Sequence, residues 1–209
     1  MEVQSHVDAM AMNTAIHRKF TARLLGLSPQ TLAKGIQAGV IPEITAGNLS
    51  ALATIPILTR ARTDGGCDIP VLRAGVQAPS AWDAYTPARP YTGYSASMTD
   101  DETLSATDRW WTYSGSDSVL AAGGIITALG GWTVVLLAVD GIAMRRPGGG
   151  NCLHYDARLV ARCDRVVDQQ IRIIDPTHPF AAHAHKLLGK RVPGGGGGTI
   201  TRLAIGDAA

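Results

Sequence analysis

Six side chains in the C-terminal half are of types that ligate metals or act as nucleophile and base: Cys152, His154, Cys163, His178, His183 and His185. CLH sets Cys152 two residues before His154, and HAH sets His183 two before His185. A zinc site takes paired ligands at short spacing, and neither pair repeats a finger spacing. HPFAAHAHKLLGKRV, residues 178–192, reads as an amphipathic helix closed by Pro193 and five glycines. Alternate residues on a helix point about 200° apart, so His183 and His185 do not share a metal there. They read as solvent-facing or capping residues, and no metal is expected.

Cys152 or Cys163 with a histidine and Asp156, Asp164 or Asp175 supplies the residue types of a Cys-His-Asp nucleophile system. Such sets can be drawn in any chain of this size. The motifs G-x-S-x-G, H-E-x-x-H and the P-loop Gly-Lys-Ser/Thr are absent. GGGNC has no apolar helix after it and PGGGGGT no Lys-Ser/Thr, so both read as flexible connections rather than phosphate cradles. With no convergent acid, base and nucleophile, no catalytic residue, no enzyme activity and no cofactor are expected.

The elements that would position any site must come from a chain of 209 residues, 45% hydrophobic and 17% charged, which can bury a core without staples and lies far from a disordered composition. Three cysteines and a start that lacks a basic, then apolar, leader lead to the expectation of a cytoplasmic protein. Fifteen of the nineteen basic residues are Arg, with heavy Ala and Gly use, a bias of the kind GC-rich actinobacterial genes show. From Ser118 to Val139 there is no charge over a length that could span a bilayer. The glycine pairs Gly123-Gly124 and Gly130-Gly131 cut that run to strand lengths, and ITALGGWTVVLLAVDGI reads as strand, tight turn, strand. A buried hairpin is expected, and no membrane.

The expected fold class is α+β: an all-helical N-terminal helix-turn-helix domain over residues 1–62, then a small mixed, mainly antiparallel β domain with a C-terminal helix over 104–209. Residues 63–103, with Pro70, Pro79, Pro87 and Pro90 and little periodicity, read as a linker or long loop. Tyr85, Tyr91 and Tyr94 interleave with Arg89 there and suit packing on a neighbour better than stacking on bases. Beyond the hairpin, LHYDARLVARC and DQQIRIIDP read as strands, the latter with Gln170 and Arg172 opposite Ile171 and Ile173. Thr177 is placed as the cap of the following helix, and TITRLAI as a last strand.

The N-terminal helices carry the chemistry best suited to a macromolecular partner. Apolar positions recur at helical spacing through Ala15, Ile16, Phe20, Ala22, Leu24 and Leu25 and stop at Gly26. Ser28-Pro29 is a cap followed by proline at the first helical position, opening a helix through Leu32 and Ile36 to Gly39. Thr45 or Asn48 caps a third helix that Pro56 kinks or ends. Net charge is only +2, yet residues 1–62 hold six Lys/Arg against three acids. The exposed face of the second helix carries Ser28, Gln30, Thr31, Lys34 and Gln37, polar types without an acid that can reach base edges or phosphates in a major groove.

LLGLSPQTLAKGIQAGVIP resembles the helix-turn-helix of the excisionase and MerR-like group of small bacterial and phage DNA-binding domains, over residues 20–43. The shared features are a hydrophobic-Gly-hydrophobic-Ser turn and a recognition helix ending in Gly-x-Ile/Leu-Pro. The resemblance implies that Ser28, Pro29, Gln30, Thr31 and Lys34 lie at double-stranded DNA, with Thr21 and Arg23 on its backbone, and Gln37 joins this DNA-binding set from its place on the exposed face. A repressor, an excisionase-like factor or another transcription regulator of a phage or mobile element would follow, acting as a homodimer because the basic residues are too few for tight binding by one copy. The chain departs from the group after the motif, where PEITAGNLS lacks the basic hairpin wing. The competing expectation is a helical hairpin that docks a protein partner.

Overall fold

The computed structural model describes residues 16–58, 68–80, 89–112, 116–145, 152–192 and 200–201. Among the described residues three short helices come first: α1 (Arg18–Leu24), α2 (Pro29–Gln37) and α3 (Ala46–Thr54). Local chemistry sets their ends. Ser28 Oγ accepts from the Thr31 amide at 3.0 Å, and Thr45 Oγ1 accepts from the Asn48 amide at 3.2 Å, each filling a backbone donor the helix leaves open. α3 stops one residue short of Pro56, as a residue that precedes proline disfavours helical geometry.

Among the described residues that follow, seven strands form one sheet. Its strands are β1 (Val71–Arg73), β4 (Arg109–Thr112), β5 (Gly124–Leu129), β6 (Trp132–Arg145), β7 (Cys152–Arg165), β8 (Gln170–Ile173) and β9 (Ile200–Thr201), while β2 (Ala78–Pro79) and β3 (Tyr91–Thr92) pair separately. The order is β4-β7-β6-β5-β1-β9, with β8 on the same edge of β7 as β4. Every pairing in it is antiparallel except β1 with β5. The uncharged run seen in the sequence is the end of α5 (Ser116–Ala122), then β5, the Gly130-Gly131 turn and the start of β6. All of β5 and the first eight residues of β6 are buried, so both faces are covered and the polar alternation of a half-exposed strand is lost. No helix among the described residues is long and apolar enough to cross a membrane. The mixed α+β class is as expected.

The segment read as a linker takes a different form where it is described. Residues 71–73 form β1, and α4 (Asp100–Thr107) opens within it on a capping box, Thr99 with Glu102. Tyr94 is fully buried, and its hydroxyl donates to the Cys163 carbonyl at 3.2 Å. Arg162 of β7, also fully buried, donates to the carbonyls of Met98 at 2.7 Å and Ala96 at 2.9 Å, to Thr103 Oγ1 at 2.7 Å and to Asp164 at 2.6 Å. Its guanidinium lies 5.3 Å from the Tyr94 ring centroid. A buried charge must be paired and hydrogen-bonded, and this one uses the loop's own carbonyls, which ties the proline-containing stretch to the sheet. Tyr94 therefore packs, the alternative favoured by the sequence.

The N-terminal helices share one buried apolar cluster with the sheet, where the sequence suggests a separate helical unit over 1–62. Ala22, Leu25, Leu32 and Leu52 join Ile126, Leu129 and Trp132 in it. Backbone bonds run from Ala96 to the Ala38 carbonyl at 2.8 Å and from Val166 to the Val40 carbonyl at 3.0 Å, and the Arg191 guanidinium donates to the Leu25 carbonyl. The expected helix at 178–192 is shorter than its pattern: a 3-10 turn, Pro179–His183, then α6, Ala184–Leu187. His178, not Thr177, caps the turn, its Nδ1 accepting from the Phe180 amide at 3.2 Å, because Thr177 is turned back to Asp175 at 2.6 Å.

Candidate nucleic-acid interface

The α1–α2 turn is built from a left-handed glycine, Gly26 at φ 64°, and from the Leu27 amide returning to the Ala22 carbonyl at 2.8 Å. α2 then rests on two supports. Ile41 folds back beneath it, its amide bonded to the Gly35 carbonyl at 3.1 Å, and a Cβ on Gly35 would lie 2.5 Å from the Ile41 terminal carbon. The Gly130-Gly131 hairpin turn presses on the same side: a Cβ on Gly130 would come within 2.7 Å of the Gly35 nitrogen and 3.1 Å of the Thr31 oxygen. Leu32 is completely buried. The helix is thereby fixed in rotation.

Gln30, Lys34 and Gln37 of α2 are exposed and spaced four and three apart, so they form one row. Ser28 and Pro29 at the N-terminus of α2 are exposed, as is Arg23 on α1. Arg18 and Lys19 add exposed positive charge at the start of α1. Thr31 is half-buried, its hydroxyl 2.8 Å from Ser28 Oγ, and it positions the helix start against the turn more than it offers a polar group outward. Thr21 differs from the expectation of a DNA-backbone contact. It has no exposed surface, because α1 turns Thr21, Ala22 and Leu25 inward and leaves Phe20 and Leu24 outside at 55% and 58% exposure. The basic pair Arg60 and Arg62 lies outside the described residues.

Lys34 also lines a cleft of about 300 Å³ between α2 and the sheet, with Ser28 and Thr31 on the helix side and Arg73, Ala128 and Gly131 on the other. Compared with protein-family models, curated proteins and solved structures, the chain matches none.

The residue types that suggested metal or nucleophile chemistry are dispersed. Among the described residues no three His, Cys, Asp or Glu side chains are grouped to hold a metal. His154 lies 3.2 Å from Asp108, a pairing absent from the sequence reading, and Arg109 holds the same carboxylate at 2.8 Å. Asp164 is engaged by Arg162 and Arg172, and Asp175 by Thr177, whose hydrogen bond keeps the Asp175 carboxyl below its ordinary pKa. Cys163 is buried, and burial, helped by the neighbouring Asp164 charge, pushes its thiol up to about 12, which suits a core side chain and not a nucleophile.

One convergence carried no sequence signal. Arg73, Arg89 and Arg109, from β1, the loop before β3 and β4, line a single recess of about 200 Å³. Each stands alone in the chain, and only the pairing of the sheet and the docking of residues 89–94 bring them together.

Proposed function

We propose that this protein is a sequence-specific double-stranded DNA-binding regulator, a repressor, an excisionase-like factor or another transcription regulator of a phage or mobile element, with α2 as its recognition helix. One observation carries the reading: α2 is closely packed against Ile41 and Gly130 while an acid-free row, Gln30, Lys34 and Gln37, is exposed, as is Arg23 on α1. Gln suits bidentate contact with adenine, Lys suits guanine or phosphate, and a helix locked against a turn presents them in fixed register. The N-terminus of α2, with Ser28 and Pro29 exposed, suits approach to a phosphate. The contacting set is Arg23, Ser28, Pro29, Gln30, Lys34 and Gln37, with Thr31 in a supporting place. Few cations are available to each copy, so two copies on neighbouring half-sites provide the phosphate neutralisation that binding requires. Cytoplasmic location belongs to the same proposal.

A second reading rests on Phe20 and Leu24, one helical turn apart and more than half exposed, an apolar pair suited to docking a protein. One experiment separates the two. The purified protein and its Lys34→Ala variant are passed over a fragment library of the source genome at two salt concentrations. Retention of a defined sequence that weakens with salt and with the substitution supports the regulator. A folded protein that retains no fragment supports the docking surface instead.

A further inference from the structure

The cleft of about 300 Å³ between α2 and the sheet can hold a small molecule, at the lower end of the range such pockets span. Its lining has two parts. Leu27, Ala128 and Val192 are apolar, and the last two, at 4% and 6% exposure, belong to the core as well as to the cleft. Ser28, Thr31 and Lys34 are polar and come, three residues apart, from the cap and first turns of α2. Among the described residues no Asp or Glu borders the cleft. The hairpin turn contributes backbone: a Cβ on Gly131, at φ 90°, would lie 3.2 Å from Leu27 Cδ2 and 3.4 Å from Thr31 Cγ2, so the turn packs on the start of α2 and adds no side chain of its own.

The polar wall has donors to spare. Ser28 Oγ accepts from the Thr31 amide at 3.0 Å, and the Ser28 and Thr31 hydroxyls lie 2.8 Å apart. Two hydroxyls carry two hydrogens and their mutual bond uses one, so whichever donates, the other hydrogen is left for a further acceptor. Lys34 is exposed and adds a positive charge with three donors, and it has no ion pair among the described residues. Arg73 also borders the cleft but is engaged within the fold, and the charge counted here is that of Lys34 alone.

We propose that this cleft binds a small organic acid, with its carboxylate at Lys34 and the Ser28 and Thr31 hydroxyl pair and its apolar body against Leu27, Ala128 and Val192. The two oxygens of a carboxylate only accept, which complements a donor-rich wall without an acid. The apolar body gains by leaving water in proportion to the area it buries. The site stands whether or not α2 reads DNA. Lys34 also belongs to the proposed DNA row, so a bound acid would draw it from DNA; that consequence rests on the regulator reading, whereas binding of the acid is tested without DNA.

The test is calorimetric titration of the full chain with benzoate and hexanoate, with the neutral benzamide and hexanamide, and with acetate, at fixed ionic strength, together with thermal denaturation in each. Saturable binding of benzoate or hexanoate is expected, with a melting temperature that rises with concentration as ligand linkage requires. The matching amide should bind roughly tenfold more weakly, the usual effect of losing a charge-assisted bond, and acetate more weakly as well because it lacks the apolar body. Lys34→Met, at an exposed position, should fold normally and bind the acid no better than its amide. Ala74→Leu, at a half-buried lining position, serves as the second variant and should abolish binding of both by filling the cleft. No saturable binding of either acid, an amide that binds as tightly as its acid, or undiminished acid binding by folded Lys34→Met or Ala74→Leu protein would overturn the site.

Discussion

Gly130, in the turn between β5 and β6, lies so close to Gly35 of α2 that a Cβ on Gly130 would come within 2.7 Å of the Gly35 nitrogen. This contact joins the sheet hairpin to the proposed recognition helix and takes the place behind α2 that a freestanding helical domain would fill with its own residues. Gly130→Ala should destabilise the fold by about 2 kcal/mol or more, because a non-glycine residue at φ 58° is strained and the added carbon meets backbone. Gly141→Ala in β6, where an added Cβ meets nothing within 4 Å, should stay within about 0.5 kcal/mol. Urea denaturation of both compares them directly, and equal midpoints would refute the close packing.

If α2 reads DNA, its two central side chains should have separable effects. Lys34→Ala is expected to lower affinity for all sequences and to reduce the salt slope by about 1, and Gln30→Ala to cost about 1–3 kcal/mol at the cognate site with relaxed discrimination at one base. Both residues are exposed, so melting temperatures should hold. Unchanged affinity in both variants would end the recognition-helix proposal.

Arg162 and Arg172 bond the same two carboxylates, Asp100 and Asp164, from opposite environments, with side-chain exposures of 0% and 45%. Arg162→Met should cost about 3–5 kcal/mol, since it strands the carbonyls of Ala96 and Met98 and a buried network. Arg172→Met should cost about 0–1 kcal/mol, as expected of an exposed pair. Chemical denaturation of the two single variants measures the contrast, and comparable losses would mean that the buried arginine does not organise residues 94–103.

Alkaline pH should erode stability through buried neutral acids. Burial raises Tyr155 to about 12 and Cys163 to about 12, and pushes the Tyr94 hydroxyl up as well. A group whose folded pKa is raised stabilises fully below its unfolded pKa. That contribution is lost as pH climbs from the unfolded value, about 8.5 for Cys and about 10 for Tyr, toward the folded one. Stability should fall between about pH 8.5 and 12, and less steeply in Cys163→Ala. The same burial predicts that iodoacetamide at pH 8 labels half-exposed Cys152 well before Cys163, checked by peptide mass mapping.

Much of the local architecture was legible in the sequence because its causes are local. A cap needs only the residue and an amide three places on, so Ser28 and Thr45 announce their helices. The hairpin at Gly130-Gly131 follows from a glycine pair between apolar runs, and β8 from alternation confined to four residues. The row Gln30, Lys34 and Gln37 follows from helix periodicity once the start of α2 is known.

What the chain by itself determined was therefore the type of most elements, their caps and turns, and the mixed class of the fold. Tertiary packing decided which way each element faces and what it meets. The apolar pattern of α1 holds enough residues for two inward faces, and contact with α2 chose Ala22 and Leu25, buried Thr21 and left Phe20 and Leu24 outside. Residues 63–103 carry little periodicity, yet the stretch 95–103 is held by a buried arginine from β7, a partner no local window contains. The arginine recess likewise exists only after strands distant in the chain are paired. Burial and charge pairing act through space, and propensity acts along a few residues of chain, so elements were readable from sequence whereas sites assembled between elements required the fold.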